Sequence, residues 1–290
     1  MAHKYQVRSI SLPSRSHPST IRVEEELSKL KTWEGTSTST SESIDTGLSL
    51  LEDLYISLDD LLNMASTQKV ISHYKGDKYV EEVLDGSVRI LDICGIIRDT
   101  MLQIKENVQA LHSALRRRKG DSSVETSVAE YKFFTKKMKK NANKLITSLK
   151  HMDNKFGVSP LLDLDYHLAA VIKVLREVIL TNLSIFQFVL SFLTVSSSNS
   201  KATKWLAVAK LMHKGVKPCE DTSENVNELQ CVEEALNTLL NEGTNDEKMQ
   251  VAHERLEALE NAIENAENGL ESVFRRLIKT RASLLNIISQ

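Results

Sequence analysis

The residues of this chain whose types and spacing could do chemistry stand near its start, in "VRSISLPSRSHPST", residues 7–20. Arg8, Ser9, Ser11 and Pro13 spell R-S-x-S-x-P. An arginine three residues before Ser11 is what basophilic kinases read. Phosphorylation would give Ser11 about −1.5 to −2 charges and three strong acceptor oxygens. Such a group fits the arginine clusters that 14-3-3 proteins present to phosphoserine. Pro13 turns the chain out of such a groove. Little in this stretch can build a core, so residues 1–19 are expected to be a disordered tail with an accessible serine. The plainer reading of the same residues is a solubilising arm, or one that packs on the fold.

Two basic clusters come next. Arg116, Arg117, Arg118 and Lys119 form one; Lys136, Lys137, Lys139 and Lys140 form the other. Together they could meet an anionic membrane or act as a bipartite nuclear-import signal. A solvated helix face, plus a helix end whose cations oppose the dipole, explains them more simply and is preferred. Nucleic-acid binding is the weaker reading. The formal net charge of −2 gives no global field. Phe133 and Phe134, beside the lysines, are more simply read as buried at helical period than as a stacking platform.

Catalytic constellations are missing from the sequence. The eight histidines are scattered, and none falls in HExxH or a Cys/His zinc spacing. No Walker A, GxGxxG or GxSxG occurs. The carboxylate pairs Asp59–Asp60 and Glu81–Glu82 are consecutive, so on a helix they diverge by about 100°. A non-enzymatic protein without cofactor or metal is therefore expected. The three cysteines, Cys94, Cys219 and Cys231, form no CxxC and leave one over in any pairing, which points to a reducing compartment. No apolar signal-peptide core precedes Thr20. A cytoplasmic setting is expected, with membrane association or the nucleus as alternatives.

The elements that must carry these residues read as helices. Four prolines and ten glycines in 290 residues leave few breakers. A first helix is expected over 20–33, with Ile21, Val23, Leu27 and Leu30 as its apolar members. "GTSTSTSES", 35–43, reads as a low-complexity linker. Over 44–64, apolar residues recur every three or four positions, with Glu52, Asp53, Asp59 and Asp60 outside. Further helices are expected over about 78–119, 122–154, 160–195, 201–214, 223–240 and 245–288. Residues 178–195 carry no charge and are about long enough to span a bilayer. Thr181, Asn182, Ser184, Gln187 and Ser191 argue for a bundle-core helix instead, so Asn182-Leu-Ser184 is not a glycosylation acceptor. In the last helix Leu256, Leu259, Ile263, Ala266, Leu270, Val273, Leu277, Thr280, Leu284 and Ile287 form a heptad seam. Ala266 and Thr280 weaken it, which favours packing within the chain over a homodimer zipper. The expected fold is all-α: one multi-helix bundle domain, 20–290, of long antiparallel helices with a coiled-coil-like C-terminal helix.

Several stretches, "RSISLPSRSHPST", "VEEELSKLKTWE", "GLSLLEDLYISLDDLLNM", "VEEVLDGSVRILDICGIIRD", "SALRRRKGD" and "YKFFTKKMKK", resemble a plant-specific family, the BYPASS-like proteins. The resemblance runs through the C-terminal seam. It implies a helical protein with no known catalytic residues, linked to root and shoot development and to the control of growth signals. It supplies no active site to carry over.

Overall fold

A computed structural model describes residues 17–117, 121–153, 164–194, 227–243 and 245–290, together with Phe156 and Leu161. The expected helix over 201–214 lies outside them, as do Cys219 and Gly120. The described elements are α1 (Ile21–Thr36), α2 (Ser41–Asn63), α3 (Ala65–His73), α4 (Lys78–Arg116), α5 (Asp121–Asp153), α6 (Tyr166–Thr194), α7 (Glu228–Glu242) and α8 (Asp246–Ser289). No strand occurs among the described residues.

Side-chain caps set most helix starts. Thr40 accepts from the Ser43 amide, Asp77 from Tyr79, Asn227 from Leu229 and Asn245 from Lys248, each satisfying an orphan donor of a first turn. The "GTSTSTSES" stretch thus shrinks to Ser37–Thr40, its last three residues opening α2. Likewise α6 starts not at Pro160 but after Asp165, whose Oδ1 takes the His167 and Leu168 amides. The polar break before α4 is where expected, at Gly76, whose φ of 80° suits a residue without Cβ. Helix α3 was not foreseen. Met64 leaves the helical region at ψ 127° and separates α3 from α2, with no proline or glycine to announce the break.

Four helices make the core. α2 packs on α8, α8 on α4, α4 on α6 and α6 on α2, so α2 and α4, like α6 and α8, stand across the diagonals. α3 closes one end against α2, α6 and α8. α1 lies on α2 and α6, α5 on α4 and α6, and α7 on α8. Helices consecutive in sequence, such as α4 and α5, run antiparallel. Two core pairs instead run parallel. Glu52 meets Arg276 and Asp59 meets Lys279 between α2 and α8. Between α4 and α6, Glu82 meets Arg176, and Gly86 faces Ile179.

Helix α6 is buried on most sides because α1, α2, α3, α4 and α5 all surround it. Its polar residues bond back to their own helix: Asn182 Nδ2 to the Val178 carbonyl at 2.7 Å and Ser191 Oγ to Gln187 at 2.7 Å. No helix among the described residues is long and apolar enough to cross a membrane. All ten seam residues of α8 are buried by helices of the same chain.

Three side chains depart from the expected pattern. Asp59, expected outside, is only 6% exposed. Lys279 Nζ lies 2.8 Å from it and Thr280 donates at 3.3 Å, so the polar break in the seam matches a carboxylate on α2. Phe133, expected inside, is 74% exposed. The α5 stripe runs instead through Val128, Tyr131, Thr135, Met138 and Ala142, and Phe133 falls off it. Ile21 also faces solvent, and Trp33 takes its place in the α1 core set.

Candidate functional site on the two flanks of α5

The buried stripe of α5 is narrow, so both flanks of this helix stay open. On one flank a cavity of about 470 Å³ lies between α4 and α5. Its apolar wall is Ile96, Phe134, Met138, Ala142, Leu145 and, from α6, Leu190. Lys137 and Lys144 stand at its edge with Asn141 between them. On the other flank a cavity of about 340 Å³ faces α7. There Lys132 Nζ donates to Asn237 Oδ1 at 2.7 Å and Lys139 pairs with Glu233. Lys136 lines the same space, and so does Tyr131. Tyr131 is 3% exposed. Burial pushes its phenol pKa up, so it stays a neutral donor.

The described members of the two basic clusters stand apart. Lys137 faces the level of Gln103 on α4, whereas Arg116 lies thirteen residues further along. That is about 20 Å of helix. Arg116 and Arg117 are exposed at the end of α4, and Arg117 Nε returns to the Ser113 carbonyl at 3.1 Å. Arg118 and Lys119 lie outside the described residues. Lys136, Lys137 and Lys140 are exposed, and none has an acidic partner among the described residues. Lys139 is the exception. Arg8, Ser9, Ser11 and Pro13 also lie outside the described residues, but the chain that follows them is anchored. His17 stacks on His167 at 4.2 Å, and the Ser19 hydroxyl sits 2.7 Å from His17 Nδ1 and 3.2 Å from His167 Nε2. Burial, then the neighbouring His17, lowers the His167 pKa.

Other ionisable groups are tied to structure. Arg176, 6% exposed, pairs with Glu82 and lies over the Tyr79 ring at 5.1 Å. His112 Nδ1 is 2.7 Å from Glu260. Burial pushes the Cys94 thiol up to about 12, which keeps it protonated and unreactive. A third cavity, about 460 Å³, lies between α4 and α6. It is rimmed by Glu81, Glu82 and Asp85, with Arg89 and Lys78 beside them. Among the described residues no group of three or more His, Cys, Asp or Glu side chains is placed to hold a metal. The cavities left no signal in the sequence, since they depend on how far α5 stands from its neighbours.

Fold and surface together define an all-α bundle protein whose distinctive face is a cationic helix with a cavity on each flank. The family model described as Protein BPS1 matches residues 47–287, more than half of the chain. The chain therefore belongs to that family, the plant BYPASS-like proteins. No curated protein and no solved structure matches it.

Proposed function

We propose that this chain is a non-enzymatic regulator of plant growth, acting in root and shoot development by binding other proteins. In this reading Ser11 is phosphorylated and then held by a 14-3-3 protein. One observation carries the proposal. The fold takes hold of the chain at His17, only four residues after Pro13, through the Ser19 and His167 contacts. A motif that close to its anchor is tethered to the bundle yet precedes its first helix, which supports its use as a docking tag. The heptad seam is occupied within the chain, so a homodimer would have to form through another face. The working compartment is the cytoplasm, with the nucleus or a membrane surface as alternatives.

Retention on immobilised 14-3-3 tests this reading. Protein from plant tissue should bind, and phosphatase treatment or Ser11→Ala should remove binding. Equal retention of wild type and Ser11→Ala overturns it.

The lysines of α5 that have no acidic partner among the described residues favour a second reading, peripheral binding to anionic membrane. Lys136, Lys137 and Lys140 would each add about 1 kcal/mol near such a surface. Co-sedimentation with phosphatidylserine vesicles at low salt should then exceed that with neutral vesicles and fall as salt rises. Indifference to lipid charge rules it out.

A further inference from the structure

We infer that the cavity between α4 and α5 is a binding site for an anionic amphiphile, a single acyl chain carrying a carboxylate or phosphate head. At about 470 Å³ it falls within the range of small-molecule sites, which are concave, mostly apolar and equipped with a few placed polar groups. The wall described above is apolar from three helices, and Ile96 is half exposed at the rim. Lys137, Asn141 and Lys144 follow at i, i+4 and i+7. They form one row about 10 Å long on the α5 edge. Thr100 and Gln103 face them from α4, and among the described residues no carboxylate lines the cavity. Two exposed lysines without acidic partners among the described residues thus sit beside a floor that gains from leaving water.

Those two features select the ligand together. A bare phosphate would meet the lysines and leave the apolar wall wet. An uncharged chain would cover the wall and leave the lysines unanswered. The cavity between α4 and α6 mixes Glu81, Glu82 and Asp85 with Lys78 and Arg89, so it lacks the one-sign rim found here.

Calorimetry on the full chain, with dodecyl probes below their micelle thresholds, tests the inference. Dodecanoate and dodecyl phosphate should each bind one to one, and the two arms assign the head group as carboxylate, phosphate or both. Dodecanol should bind more weakly and dodecyltrimethylammonium weakest. Each methylene added should tighten binding by up to about fourfold. Lys137→Ala with Lys144→Ala should weaken the anions about tenfold or more and leave dodecanol unchanged. Lys140→Ala with Lys150→Ala removes the same charge from exposed positions outside the cavity and should change nothing beyond about twofold. Ile96→Glu, at a half-exposed site, should abolish binding of both anions. The inference is overturned if no probe saturates below its micelle threshold. It is equally overturned if the ammonium probe binds as well as the anions, or if both lysine pairs cause the same loss.

Discussion

Helices α8 and α5 are both long, 44 and 33 residues, and both carry an apolar stripe beside many charges. They use those charges differently. On α8, Glu271 meets Arg98, Glu267 meets Lys105, Glu260 meets His112, and Arg276 and Lys279 meet acids on α2. Its inner face and flanks are engaged on α2 and α4. On α5, Lys139 has an acid and Lys136, Lys137, Lys140 and Lys144 have none among the described residues. The seam helix spends its polar groups on holding the bundle. The rib helix leaves them facing solvent and two cavities. Charge density therefore says little about role until the partners are known.

The sharpest way to break this comparison is inside the seam. Leu270 is fully buried between α2 and α4, and Leu270→Ala should cost about 2–5 kcal/mol in urea unfolding. A smaller loss would mean that α8 is less central than its burial implies. Gly269 comes next. A Cβ there would stand 2.9 Å from Leu48 Cδ1 and 3.2 Å from Leu48 Cβ. The methyl can swing away, but the Cβ is fixed to α2, so Gly269→Ala should cost about 1–3 kcal/mol despite its better helix propensity. On α5 the contrast should appear as a null. Lys136→Ala with Lys140→Ala should change stability by no more than about 0.5 kcal/mol, while circular dichroism stays unaltered. A large loss would show that these lysines hold structure after all.

The smallest effect is one of pH. Glu271 has its carboxyl held below the usual range, first by its hydrogen bond to Arg275 and then by the Arg98 charge. A depressed folded-state pKa gives stability that is present above the unfolded value of about 4.3 and lost as pH falls through the folded one. Acid titration of wild type against Arg98→Met should therefore show the two curves converging only below about pH 4. Convergence near neutrality would remove the ion pair from the account of α8.

The seam was legible residue by residue, because a strict three-four alternation needs no knowledge of the partner helix. Its breaks were legible as weakness but not as meaning. Thr280 answers Asp59, and only the parallel pairing of α2 with α8 puts them side by side. That direction was hidden, since an apolar period is the same whichever way a neighbour runs. The serines and threonines of 35–43 were read as composition. Position decides otherwise, because Thr40 is a cap and Ser41 already helical. Phe133 was misplaced because consecutive helical residues diverge by about 100°: Phe134 packs against the core and its neighbour is turned to solvent. The lysines of the candidate site were visible as a cluster. Their division between two cavities follows from the spacing of helices, which no single segment records.

Helix α4 has the α5 cavity on one side and the α8 ion pairs on the other. Ile96, Thr100 and Gln103 line the first; Arg98 and Lys105, only two residues from one of them in each case, hold Glu271 and Glu267. The rise per residue is about 1.5 Å, so a shift of α4 by even a fraction of a turn changes both faces at once. The diagonal arrangement leaves α6 and α8 with little packing against each other. One helix thus serves as a party wall, with the cavity on one side and the carboxylates of the C-terminal helix on the other.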